Sequence, residues 1–172
     1  MKRMTIAKSL ADAIARGAQA LETAARGDDN DVVLDGFGRV VQLANYSCGA
    51  QSAFMILRYF GKARSIERTI KLLGTDADGT AWLPMRSLFL QRGLLTKVTA
   101  AGMKQVIRTA IDAGSPLLVT VDEGSHWATL YGYGPGRVYV ADPSLGRAAR
   151  VICDWSTFKK RWDRWAALVS RS

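Results

Sequence analysis

At Pro116 the hydrophobic period of the chain changes, and this switch constrains the fold more than any other feature. Upstream, apolar residues recur at helical spacing; downstream they fall in short runs broken by glycine turns. "PLLVTV", "HWATLYGY", "RVYVAD" and "RAARVI" are rich in β-branched and aromatic residues. "GPG" at 134–136 and "SLG" at 144–146 separate them as turns. Helices lead and a strand meander follows, which is an α+β layout. A length of 172 residues suits one domain, and 48% hydrophobic residues supply one core.

The helical part divides at its own stop signals. Residues 5–26 form an amphipathic pattern, with Ile6, Leu10, Ile14 and Leu21 on one stripe and Lys8, Asp12, Arg16 and Glu22 opposite. Gly27-Asp28-Asp29-Asn30 ends it. This 1–30 extension reads as a packed outer helix, with a partner-binding or membrane-seeking helix as alternatives. The domain proper is expected over 31–172. "DVVLDGFGRVVQL" reads as a hairpin, with Val32–Leu34 and Arg39–Gln42 as its strands. A helix is predicted from Cys48 to Phe60, stopped by Gly61. A second, capped by Ser65, ends at Gly74. Asp76-x-Asp78-Gly79 lacks the later ligands of a calcium loop and reads as a turn. Further helices are predicted over 83–92, 103–113 and 156–169. The last places Phe158, Trp162, Trp165 and Leu168 on one face.

The net charge of +9 favours acidic partners. No zinc-finger spacing, aromatic-basic signature or Arg-rich tract accompanies it, so specific nucleic-acid binding is not expected. With one histidine and two cysteines, neither a disulfide framework nor a four-ligand metal site is expected, and no cofactor is implied. No apolar run reaches membrane-spanning length. The opening Met-Lys-Arg imitates a secretory signal, but Lys8, Asp12 and Arg16 interrupt the apolar region. The chain is therefore expected in the cytoplasm, or exported by another route.

The chemistry centres on "QLANYSCG", where Cys48 meets the start of a helix. Peptide dipoles there favour negative charge, and a thiol is a strong nucleophile only as thiolate. An imidazole would activate it further, and the chain owns one, His126. A third group must orient that ring. Pairing His126–Tyr133 with Arg137–Asp142 as a hairpin brings Asp142 beside His126. Taken singly, a cysteine in an apolar helix is usually core, a lone histidine usually a surface or hydrogen-bonded residue, and Asp-Pro usually a turn. Their coincidence at compatible positions favours a nucleophilic constellation.

Together these segments resemble the papain-like cysteine peptidases that process bacteriocin precursors after a double-glycine leader, including the stand-alone form. The resemblance rests on Gln42 followed six residues later by Cys48-Gly49, on "GSHWATLYGYG", on "VYVADPSLG" and on Phe158-x-x-x-Trp162 in "STFKKRW". It runs from about residue 38 to residue 165. It implies a papain-like fold, with a helical half carrying the nucleophile helix packed on an antiparallel sheet half. It implies Cys48 as nucleophile, His126 as general base and then acid, Asp142 as the holder of the tautomer, and Gln42 with the Cys48 N–H as oxyanion hole. The substrate would be a peptide or protein, such as a leader peptide, cut after a small-small pair. Gly49, Trp82 and Trp127 are candidates for substrate contact. Strand alternation should point Trp127 away from His126, which favours Trp82, expected in the loop after Gly79. Ser47 and Gln51 depart from the family, which usually has Asp and a small residue there. An acyl hydrolase or acyltransferase with the same triad, or an idle peptide-binding module, would fit the same residues.

Overall fold

The computed structural model describes residues 30–42, 44–100, 104–144 and 151–172. The predicted helix over 5–26 lies outside them, as does the "SLG" turn beyond Ser144. Among the described residues there are five helices and one antiparallel sheet of seven strands. The order along the chain is β1 (Val32–Val33), α1 (Cys48–Tyr59), α2 (Ile66–Leu73), α3 (Trp82–Gln91), β2 (Leu94–Thr99) and α4 (Lys104–Asp112). Then follow β3 (Leu117–Val121), β4 (His126–Gly134), β5 (Arg137–Ala141), β6 (Val151–Asp154), α5 (Trp155–Arg161) and β7 (Trp162–Arg171).

The sheet runs β2-β7-β3-β4-β5-β6, with β1 added to the far end of β4. The meander β3-β4-β5-β6 is the one the turn signals predict. Helix α1 packs on β4, α2 on α1 and α3, and α3 on β2. From Ala128 to Gly132 every β4 residue is buried, so both faces of that strand are covered. α1 is buried from Cys48 through Ala53 and again at Met55, Ile56 and Leu57. The papain-like arrangement of a helical half on a sheet half is thus present, with α1 at the junction.

Local signals explain most helix ends. Ser65 Oγ accepts the Arg68 N–H at 3.2 Å, which caps α2, and Gly74 closes it in the left-handed region at φ 61°. Pro84 sits in the first turn of α3, where its missing N–H breaks no helical bond. Trp82, expected in a loop, is instead the first residue of that helix.

Two sequence expectations are corrected. Residues 39–42 do not pair with 32–34; Val32 and Val33 pair instead with Tyr133 and Gly132 of β4. The local turn at Asp35-Gly36 exists, but the longer-range ladder wins the backbone hydrogen bonds. The predicted helix over 156–169 ends at Arg161. Residues 162–171 form β7, threaded between β2 and β3. A central strand is covered on both faces, so its apolar residues do not alternate, and the spacing of its aromatics imitates a helical stripe. The strand β2, which the sequence pattern did not reveal, supplies its outer partner.

No helix among the described residues is long and apolar enough to cross a membrane.

Candidate active site

Three elements meet at the site: the N-terminus of α1, the start of β4 and the end of β5. Cys48 is the first residue of α1. The preceding Ser47 turns its hydroxyl back to the Ala44 carbonyl at 2.8 Å and caps nothing in the helix. No acidic residue occupies the first turn. The helix end therefore keeps its positive dipole for Cys48.

His126 opens β4, and its Nε2 lies 2.8 Å from Asp142 Oδ1. Asp142 follows β5 directly and its side chain is 1% exposed. The Ser144 N–H donates to the same Oδ1 at 2.9 Å, and Ser144 Oγ lies 3.1 Å from His126 Nε2. With Nε2 committed to Asp142, the other ring nitrogen is left for the Cys48 thiol, with which His126 also shares a hydrogen bond. The hairpin therefore does bring Asp142 to His126, and α1 brings Cys48 within hydrogen-bonding reach of the ring.

The electrostatics follow from these contacts. Burial pushes the Cys48 thiol up. The His126 hydrogen bond, the Trp127 and Gly49 backbone and the imidazolium charge outweigh it and hold the thiol below its ordinary value. Burial disfavours the His126 imidazolium, yet the bonds to Asp142 and Cys48 raise it to about 9. Burial likewise opposes the Asp142 carboxylate, but His126 and Ser144 hold it well below the usual range. The contacts thus favour the thiolate and imidazolium forms of Cys48 and His126 beside an ionised Asp142.

Gln42 is buried on the Asp142 side of the site, where its N–H donates to the Pro143 carbonyl at 2.7 Å. Its Oε1 has no hydrogen-bond partner among the described residues. Gln51, a departure from the family pattern, is fully buried, and its Nε2 reaches the Val41 carbonyl at 3.4 Å, next to Gln42. Cys153 lies on β6 opposite Val138, and neither cysteine is in a disulfide.

The two candidate tryptophans join one aromatic cluster. Trp165 of β7 sits edge-to-face with Trp82 at 5.1 Å and with Trp127 at 5.4 Å. The Trp127 indole N–H donates to the Thr80 carbonyl at 3.0 Å. Gly49 is buried beneath them. A Cβ there would stand 2.7 Å from Thr80 Cβ and 2.9 Å from Trp127 Cδ1. Neither neighbour is free to yield, since Thr80 is also bonded to Thr75 at 2.8 Å. Gly49→Ala is expected to cost about 1–3 kcal/mol by overpacking. It should also displace Trp127, the residue after His126. A thermal unfolding scan and a cleavage assay check both; an unchanged midpoint of unfolding refutes the packing role.

Three residues that sequence reasoning missed also shape the site. Arg39 grips the carbonyls of Asp142 and Ser144 with its guanidinium. Ser144 touches both Asp142 and His126. Arg161 approaches Asp142 Oδ2 at 3.7 Å. Only Ser144 carried a sequence signal, its place in "ADPS".

The family model for the peptidase C39 family matches residues 37–172. The chain belongs to the peptidase C39 family. It is thus a cysteine peptidase of papain-like fold. The peptidase is 27% identical over 126 residues to the lactococcin-G-processing and transport ATP-binding protein LagD of Lactococcus lactis subsp. lactis. That match covers 72% of the chain and only 17% of the relative's length. Among solved structures, the double-glycine-motif protease of an AMS/PCAT transporter, in complex with its leader peptide, superposes with a TM-score of 0.67 at 19% identity. The match covers 86% of this chain and 96% of that one. The peptidase domain of Streptococcus ComA gives a TM-score of 0.67 at 20% identity, covering 79% and 99% of the two chains. A C39-like peptidase from Bacillus anthracis gives 0.69 at 16% identity, covering 84% and 99%. At these identities the structural likeness concerns the fold.

Proposed function

We propose that the peptidase cleaves a peptide after a small-small pair, using Cys48, His126, Asp142 and Gln42. The 2.8 Å bond between His126 Nε2 and Asp142, which leaves the other ring nitrogen for the Cys48 thiol, carries this reading. The Cys48 thiolate attacks the scissile carbonyl, and the charge developing on its oxygen is met by the Cys48 N–H and the Gln42 amide. Gln42 is buried beside the Asp142-Pro143 segment, with its backbone N–H held by the Pro143 carbonyl at 2.7 Å, which supports a place for it at the site. Protonated His126 then gives its proton to the leaving amine, and as a neutral base it activates the water that releases the acyl-enzyme. Asp142 keeps the proton of Nε2 in place through both steps.

Residues 31–172 act as the peptidase domain on this reading, and 1–30 as an extension without chemistry. The charges at Lys8, Asp12 and Arg16 support cytoplasmic placement. The relative LagD and the leader-bound AMS/PCAT protease support a leader-type peptide as substrate. Trp127, which meets Gly49 beside Cys48, and Trp82, joined to it through Trp165, would border the approach to the thiol. A narrow approach excludes side chains before the scissile bond by steric clash, so discrimination there is steep.

A peptide library varied at the two positions before the cut, read by mass spectrometry, tests the proposal. Gly-Gly and Gly-Ala are expected to lead. A preference for large apolar or basic residues overturns the small-small reading, and transfer of the acyl group to an added amine in place of hydrolysis assigns an acyltransferase instead.

A further inference from the structure

The loop that delivers His126 holds an unfavourable conformation. Asp122, Glu123 and Gly124 are consecutive left-handed residues, with φ of 57°, 60° and 76°. For two non-glycine residues in a row this geometry is costly, and it persists only where the surroundings impose it. The surroundings here are the junction of α5 and β7. The Arg161 guanidinium forks onto the Asp122 carboxylate, with Nε to Oδ1 at 2.7 Å. The Arg161 carbonyl accepts the Asp122 N–H at 2.7 Å, and Asp163 Oδ2 accepts the Gly124 N–H at 2.8 Å. The same guanidinium faces Asp142 Oδ2 at 3.7 Å. One side chain therefore touches both the loop before His126 and the carboxylate that orients its ring.

We propose that Arg161 is a positioning residue, holding the 122–125 loop and Asp142 so that the His126 ring stays between Asp142 and Cys48. This role rests on the working His126–Asp142 pair proposed above. It adds a residue from α5 that acts through its contacts with Asp122 and Asp142.

The charged and titratable groups around His126 are Cys48 from α1, Asp142 and the Ser144 hydroxyl after β5, Asp122 from the loop, and Arg161 itself. Arg39 faces the carbonyls beside Asp142. Removing a nearby cation, with nothing else changed, stabilises the imidazolium and raises its midpoint. Losing the ring's contact with Asp142 lowers it. The two roles of Arg161 thus predict opposite signs.

His126 is the chain's single histidine, so its ring protons give one assignable titration by NMR. In the unchanged protein the midpoint is expected at about 9. In Arg161→Gln it is expected to fall by about a unit or more, toward the ordinary value of about 6.5. Arg161→Lys keeps the charge but not the fork, and should fall as well. Asp142→Asn serves as the reference for a ring that has lost its partner. A midpoint that stays put or rises in the two Arg161 variants overturns the positioning role. If the unchanged protein titrates near 6.5 and Asp142→Asn does not move it, the His126–Asp142 pair itself fails instead.

Discussion

Replacing Cys48 by alanine is expected to abolish peptide cleavage and the rapid labelling of the protein by iodoacetamide, while Cys153→Ala leaves both intact. The expected loss is about 10^6-fold, the scale on which removing a nucleophile leaves only binding and oxyanion stabilisation. The two thiols differ in surroundings. Cys48 has a helix N-terminus, the backbone of Trp127 and Gly49, and an imidazolium acting on it. Cys153 lies on β6 opposite Val138, in a strand at the edge of the sheet. Because the Cys48 thiol is held below its ordinary value, labelling should begin at a lower pH than that needed for an ordinary thiol. Because His126 is raised to about 9, the ionised pair should persist through neutral pH and be lost as pH rises past about 9. Cleavage should therefore fall on both sides of that window. Comparable loss of labelling in Cys153→Ala, or labelling of Cys48 only at alkaline pH, contradicts the assignment. Mass spectrometry of the labelled protein reads both.

The juxtaposition of His126 and Asp142 was legible because it depends on short-range topology. "GSHWATLYGYG" and "RVYVAD" flank a two-residue turn, and an antiparallel hairpin brings the start of one strand to the end of the next. That alone sets Asp142 beside His126. The start of α1 was equally legible, since a polar turn runs into an apolar helical run at Cys48. The supports of the site were not. Arg39 and Arg161 act across long sequence separations, and an arginine facing a carbonyl or carboxylate leaves no periodic trace. The end of the chain was misread for a specific reason. Phe158, Trp162, Trp165 and Leu168 do stand at helical spacing, and α5 honours it as far as Arg161. Beyond that, Trp162 pairs with Val121, and Ala166 to Leu168 pair with both β2 and β3. Arg164 takes the left-handed region at φ 63°, where the Trp162 indole N–H closes onto the Trp165 carbonyl at 2.8 Å. Ladder bonds on two sides outweigh the helical propensity of the Ala, Leu and Arg residues in "WDRWAALVSR". The consequence reaches the site, since Trp165 joins Trp82 and Trp127 only because β7 is a strand.

Loss of Asp142 is expected to cost about 10^4-fold in kcat/KM, by analogy with the aspartate of serine triads. Oδ1 accepts from both His126 Nε2 and the Ser144 N–H, so it fixes the proton on Nε2 and leaves the other ring nitrogen free to serve the thiol. Asp142→Asn has no good orientation. With its oxygen toward His126 it keeps those two bonds but turns an N–H₂ group toward Arg161, where Oδ2 now lies 3.7 Å from the guanidinium. With its nitrogen toward His126 it faces the Ser144 N–H as well, and the ring must reverse its tautomer. Either way the imidazolium loses the negative charge that helps to raise it to about 9, so the thiolate loses its counter-ion at lower pH. The alkaline limit of activity should therefore move down, not up. His126→Ala should cost at least as much as Asp142→Ala, and the double variant should be little worse than His126→Ala alone, because a misheld imidazole and a missing one fail at the same step. Steady-state kinetics across pH on the three variants measures this. Full activity in Asp142→Ala, or losses that multiply in the double variant, would show that the two residues do not work as a unit.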